Sequence, residues 1–190
     1  MNNIIIIGMP GAGKSTAGVI LAKTLGMKFI DTDIVLQEKS GQLLQEMIDG
    51  DGPDAFLKIE EETLLSLQAH NTVIATGGSV VFSRRAMEHL KQGGVVLYLK
   101  ISFEEMEKRL KNITTRGIVL IAGQSLHAMY IQRVPLYEQY ADITIDCTDD
   151  DFENIVEKAV DEMKNLRGHQ TPKMRREAQA DLRTRKVVRP

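Results

Sequence analysis

The chain has no tryptophan, one cysteine, and aromatic residues at only 5% of its 190 positions. A single cysteine, Cys147, excludes an internal disulfide, and its ordinary role is that of a small buried hydrophobe. No apolar run approaches the roughly 18 residues that a bilayer-spanning helix needs. The N-terminus also lacks a basic segment followed by a long apolar stretch, so a cytoplasmic protein outside the membrane is expected. Charge of one sign is missing too: 24 Lys and Arg stand against 26 Asp and Glu, a formal net charge of −2, which gives no overall pull toward nucleic acid. A small-molecule substrate fits this balance better. With 43% hydrophobic residues, the length suits one well-buried core.

What the chain does contain is concentrated at its start. Ile4-Ile5-Ile6-Ile7 runs directly into Gly8-Met9-Pro10-Gly11-Ala12-Gly13-Lys14-Ser15-Thr16. The spacing is Gly, four residues, Gly-Lys-Ser, behind a β-branched strand and ahead of a helix-period segment to Leu25, which is the setting of a phosphate-binding P-loop. Its glycines let the backbone approach an anion, so N–H groups from Gly11, Ala12 and Gly13 to Ser15 and Thr16 can cradle phosphate oxygens. Lys14 brings a positive charge to the β- and γ-phosphates, Ser15 a hydroxyl to Mg²⁺, and the following helix its dipole. A nucleoside triphosphate is the ligand implied.

Short apolar runs then alternate with helix-period segments: Lys28 to Ile30, Thr72 to Ala75, Val95 to Ile101 and Asp142 to Asp146, with helices from about Ile34, Ser83, Phe103 and Phe152. This alternation predicts an α/β fold with a five-stranded parallel sheet, helices on both faces and ligands at the strands' carboxyl ends. Residues 1–166 read as one domain. Residues 167–190 carry eight basic and two acidic side chains and few large apolar ones, and read as a basic tail. No aromatic residues interleave with its charges, so a solvated extension is favoured over a nucleic-acid contact.

Beyond the P-loop, Asp31 and Asp33 end the second strand two residues apart. One carboxylate can hold Mg²⁺ through its waters and the other can accept a proton or hydrogen bond from a substrate hydroxyl. The plain structural alternative is that Asp33 caps the next helix while Asp31 ends the strand. Gly77-Gly78 closes the third strand and offers close backbone access to a ligand, with an ordinary turn as the alternative. Arg116-Gly117 lies in a lid-like stretch, about residues 111–124, from which the arginine could reach a transferring phosphoryl group. Arg133 stands one residue before a Val134-Pro135 break; by itself, either arginine would be an unremarkable surface charge.

Together these segments, with Ala141-Asp142 after Tyr137, resemble the shikimate kinase family over roughly Ile4 to Val160. The resemblance implies a three-layer P-loop kinase fold and Mg²⁺-dependent transfer of the γ-phosphoryl of ATP to the 3-hydroxyl of shikimate, a step of aromatic amino acid biosynthesis. It implies that Lys14 and Ser15 serve phosphate and metal, and that Asp31 holds the metal's waters near the attacking hydroxyl. Asp33 is implied to bind substrate hydroxyls, Gly77 and Gly78 the ring through backbone N–H groups, and Arg133 the carboxylate. Arg116 is implied to act from the lid and Arg109 to stack on adenine. An acceptor-binding segment of about residues 33–61 and a monomer are expected.

The departures fall on the acceptor side. Where the family has Gly-Glu-x-x-Phe-Arg, this chain has Gly52-Pro53-Asp54-Ala55-Phe56-Leu57, so a carboxylate-binding arginine is replaced by Leu57; Glu60 keeps the family's spacing from Phe56. Lys58 is rotated about 100° away on a helix and is no substitute for a bidentate clamp. Ser79 replaces a third glycine, and Gly117-Ile118-Val119 replaces Pro-Leu-Leu. A kinase for another polyhydroxy acid such as gluconate, or a non-catalytic nucleotide-binding regulator, are the alternatives this pattern leaves.

Overall fold

The computed structural model describes residues 2–111, 118–119, 124–148 and 150–168, the last three by backbone only. Arg116 and Gly117, most of the expected lid, and the tail from residue 169 lie outside the described residues.

Five strands form one parallel sheet in the order β2-β3-β1-β4-β5. They are β1 (Asn3–Gly8), β2 (Lys28–Asp31), β3 (Thr72–Ala75), β4 (Gly94–Lys100) and β5 (Ile143–Asp146). The isoleucine strand β1 is central, with Ile4 paired to Val73 on one side and Val95 on the other. A strand hydrogen-bonded on both edges and covered on both faces must be apolar throughout, and all six residues of β1 are buried.

The helices are α1 (Lys14–Leu25), α2 (Thr32–Ser40), α3 (Leu44–Asp51), α4 (Pro53–Leu65), α5 (Arg84–Gln92), α6 (Phe103–Lys111), α7 (Leu126–Tyr140) and α8 (Phe152–Gly168). Side-chain alternation along β1 decides which face each covers. Ile6 meets α1 at Gly18, whereas Tyr98, in register with Ile7, stacks on Tyr137 of α7 at 5.1 Å. α1 and α7 therefore lie on opposite faces, and α8 packs beside α1. The α/β architecture expected from the alternation is the one found.

Three local readings change. Asp31, not Asp33, caps α2: its Oδ1 accepts the Asp33 backbone N–H at 3.0 Å. Helix α7 runs straight through Pro135 rather than breaking there. The missing N–H leaves the carbonyl of Ile131 without its helical donor, but Ile131 is exposed, and packing of Met129, Arg133 and Tyr137 holds the helix together across the gap. Helix α8 continues through Gly168, two residues past the boundary expected at residue 166.

Two apolar clusters result. The main one fills both faces of the sheet; a small one, Leu36, Met47, Ile48, Phe56 and Val119, lies among α2, α3 and α4.

Candidate active site

The P-loop begins where β1 ends. Gly8 has φ 148°, and a Cβ there would sit 2.5 Å from the carbonyl oxygen of Leu99, so only glycine lets the chain leave the sheet at this point. Gly13, at φ 85°, is the left-handed residue before the first turn of α1. Ala12 is fully buried beneath the loop, Gly11 is buried at its crest, Ser15 is half-buried at the helix start and Thr16 is exposed. Lys14 is buried, and its Nζ donates to the carbonyls of Gly8 (2.8 Å) and Met9 (2.9 Å), which fixes the loop's curvature from inside. Left-handed glycines, a helix N-terminus and a buried ammonium group compose a cradle for phosphate, and the residues present fit such a group.

Arg109 reaches the loop from α6. Its Nε donates to Glu105 Oε1 at 2.7 Å, and its Nη1 and Nη2 donate to the carbonyls of Gly11 (3.3 Å) and Cys147 (3.5 Å). The ring of Phe152 covers the opposite side of the loop, 2.5 Å from where a Cβ on Gly13 would stand. Cys147 is buried, as its ordinary role requires, and burial pushes its thiol up to about 12.

The acceptor side is built around Gly77 and Gly78. The Thr76 N–H and hydroxyl both donate to the carbonyl of Ile6, tying the end of β3 to β1. The Gly77 N–H, which the family resemblance offers to a substrate, donates to Thr32 Oγ1 at 3.2 Å in this structure. A Cβ on Gly77 would come within 2.9 Å of Asp33 Oδ1 and would also overlap Glu60 Oε1. Asp33 and Glu60 thus converge on one point. Asp31 lies half-buried two residues away on the P-loop side of the sheet, with its cap bond to Asp33.

Arg133 is among the most buried side chains of the protein. Its guanidinium lies over the ring of Phe82, 5.1 Å from the centroid, and Nη2 donates to the carbonyl of Val119. Its Nη1 stands 3.3 Å from the point a Cβ on Gly78 would occupy, and its Nε is buried with no hydrogen-bond partner. One turn along α7, the Tyr137 hydroxyl donates to the carbonyl of Gly78 at 2.6 Å, which locks helix and glycine loop together.

Glu60, 2% exposed on α4, completes the cluster. Burial pushes its carboxyl up to about 7; the Asp33 charge raises it further, while hydrogen bonding by Ser79 and the charges of Arg133 and Lys14 oppose the shift. Beside it a cavity of about 230 Å³ is lined by Leu57, Glu60, Ser79 and Phe82, among others. Leu57 also packs on the small apolar cluster. Sequence spacing singled out Glu60 but not its burial, and it marked Ser79 as a departure on the acceptor side. It gave no sign that Phe82 belongs to the site, because a residue in a single short turn carries no period that marks it as a contact.

The structure thus brings together, at the carboxyl ends of β1, β2 and β3, the phosphate loop, Asp31, Asp33, Gly77, Gly78 and Arg133, with Arg109 against the loop's outer edge. Arg116 lies outside the described residues. Among the described residues, no three His, Cys, Asp or Glu side chains are grouped to hold a metal by themselves, and no helix is long and apolar enough to cross a membrane.

A parallel sheet whose central strand feeds a P-loop, with Asp33, Glu60 and Arg133 gathered around the glycine pair at the end of the neighbouring strand, defines a P-loop kinase of a small molecule. The shikimate kinase family model matches residues 10–164. A shikimate kinase of Actinobacillus succinogenes is 36% identical over 171 residues, covering 87% of this chain and 97% of that protein. The structure of a shikimate kinase from Acinetobacter baumannii in complex with shikimate superposes with TM-score 0.79 at 28% identity, covering 90% of this chain and 96% of the other. One from Aquifex aeolicus gives 0.75 at 27% identity, with coverage of 86% and 97%. The chain belongs to the shikimate kinase family, whose phosphate donor is ATP.

Proposed function

We propose that the protein is a cytoplasmic, monomeric, Mg²⁺-dependent kinase that transfers the γ-phosphoryl group of ATP to the 3-hydroxyl of shikimate. The observation that carries this reading is the convergence of Asp33 and Arg133 on the Gly77-Gly78 loop beside the P-loop, a hydroxyl acceptor and a carboxylate partner on either side of one small space.

The P-loop N–H groups from Gly11 to Thr16 hold the β- and γ-phosphates, and Lys14 turns from the loop carbonyls to the transferring group. Ser15 directly, and Asp31 through waters, would hold Mg²⁺, which when bound neutralises charge on the β- and γ-oxygens. Asp33 receives the acceptor hydroxyls and Arg133 its carboxylate, while Gly78 lets the ring approach the backbone. Asp31 stands near the attacking hydroxyl, Arg116 enters from the 111–124 lid, and Arg109 stacks on adenine. Positioning and charge stabilisation supply the catalysis, because phosphoryl transfer asks little covalent chemistry of the protein. Residues 33–61 form the acceptor-binding segment.

ADP release measured over shikimate, quinate and gluconate tests the assignment. Shikimate should give the highest kcat/KM. Turnover on gluconate with none on shikimate would assign another polyhydroxy acid, and ATP binding without turnover on any acid would mark a regulator.

Leu57→Arg supplies a second guanidinium at the cavity wall. A charge-assisted hydrogen bond contributes about 1.5 to 3 kcal/mol, so the shikimate KM should fall by roughly tenfold to a hundredfold. An unchanged KM, with ATP kinetics intact, would show that this wall does not face the acceptor's carboxylate.

A further inference from the structure

Glu60 is the carboxyl of the acceptor cluster whose chemistry the proposed transfer leaves unused among the described residues. Its carboxyl is almost wholly enclosed, its Oε1 has no hydrogen-bond partner, and that same oxygen crowds the Cα of Gly77 from the side opposite to the glycine's backbone bonds. Asp33 Oδ1 crowds it too, so an acceptor seated on Gly77 meets both oxygens at once.

The charges around Glu60 can be counted element by element. From α2 comes Asp33, from α7 Arg133, and from the P-loop Lys14. Tyr137 of α7 is buried and its hydroxyl is pushed well above its ordinary range by that burial, so it stays neutral. From α5, Arg85 is engaged by the neighbouring Glu61 at 2.8 Å. The carboxylates of α3, Glu46, Asp49 and Asp51, are exposed, while Met47 and Ile48 turn inward. On α4 itself Lys58 is exposed and Leu57 is apolar. Among the described residues, Arg133 is the guanidinium whose charge acts on Glu60, and Lys58 lines the neighbouring cavity.

Asp33 and Glu60 already repel each other beside Gly77, and an acid ligand brings a further negative charge into the same enclosed space. Placing a proton on Glu60 removes one of these charges and gives the carboxyl with its unpartnered Oε1 both a donor and an acceptor, the pair that a hydroxyl beside a carboxylate can use. We infer that Glu60 receives an acid acceptor as a neutral, proton-carrying carboxyl, so that binding takes up one proton from solvent at Glu60 and this residue sets how well a carboxylate-bearing acceptor is admitted.

Ser79 fits this role. Its hydroxyl lines the same cavity as the Glu60 carboxyl, where a glycine would offer no polar group. The proton position near neutrality follows from burial, with Glu60 pushed up to about 7 before any ligand arrives. An entering carboxylate raises it further, so the sign is determined: acceptor affinity is full below the unliganded value, falls as pH rises through it, and levels off above the raised liganded one.

This inference rests on shikimate being the acceptor, and one experiment separates the two. Shikimate and ATP KM values are measured from pH 6 to 8.5 for the wild type and Glu60→Gln, alongside calorimetric titration of shikimate at pH 7.5 in two buffers of different ionisation enthalpy. The wild-type shikimate KM should climb toward tenfold per pH unit above about pH 7, with net proton uptake on binding. E60Q, which carries a fixed N–H donor of nearly the same shape, should show a flat shikimate KM, no proton uptake, and a lower KM than the wild type at pH 8.5. The ATP KM should follow the same course in both proteins. A merely structural Glu60 would raise KM in the variant without moving its pH dependence. Shikimate turnover with a flat wild-type KM, or with the slope retained in E60Q, overturns the inference alone. Absence of any shikimate binding overturns the assigned substrate and this inference with it.

Discussion

Replacing Lys14 with alanine is expected to lower kcat by at least a factor of roughly a hundred to a thousand, the usual effect of removing one preorganised charge from a developing anion. Two effects combine in that loss. In the structure the ammonium group is internal to the loop, bonded to the carbonyls of Gly8 and Met9, so the variant forfeits both the charge and the cross-brace that keeps the N–H groups aimed inward. The buried carbonyls then face an apolar methyl group, and stability falls as well. ADP release under saturating shikimate and ATP reads the chemical loss, and nucleotide titration reads the binding loss. A variant with more than a tenth of wild-type turnover would mean that the transferring phosphoryl group is not held by this loop.

Arg133→Ala should act on the other substrate. Removing one member of a desolvated charge pair costs about 2–5 kcal/mol, so the shikimate KM should rise by roughly thirtyfold to several thousandfold while the ATP KM stays within about twofold. The carbonyl of Val119 loses its donor and the face of Phe82 its cation, so the melting temperature should drop too. Arg133→Lys keeps the charge without the planar fork and should fall between the two proteins. Equal losses on ATP and shikimate would place Arg133 in the scaffold alone.

How far these residues could be read in advance depends on the range of the physics that places them. The P-loop was legible because its requirements are local: Gly8 must escape the sheet, Gly13 must take a left-handed turn, and both follow from a nine-residue window. The parallel sheet was legible from alternation, and β3 falls on the Thr72 to Ala75 span that its apolar run defines. Asp31 and Asp33 were recognised as a pair, but their division of labour was not, because capping depends on where the helix starts and α2 begins at Thr32. The Val-Pro pair was read as a break, whereas tertiary packing of Arg133 and Tyr137 outweighs one lost hydrogen bond. Glu60 marks the outer limit of what the chain discloses by itself. A glutamate in a helix gives no sign of being enclosed, and only the closure of α2, α4, α7 and the glycine loop around it makes it unusual.

The two separate apolar clusters have a consequence for how such a protein changes over time. The phosphate loop is anchored in the main cluster, where Ile4 to Ile7 are buried on every side and almost any substitution threatens the whole fold. The helices that shape the acceptor pocket rest on four buried side chains of their own and on Val119, and Leu57 packs at the margin of that small group. Mutational damage there is confined, as is mutational opportunity. Substitutions in α2 to α4 are therefore expected to reshape the acceptor pocket while the phosphate loop keeps its footing, and Leu57 lies within that separable part.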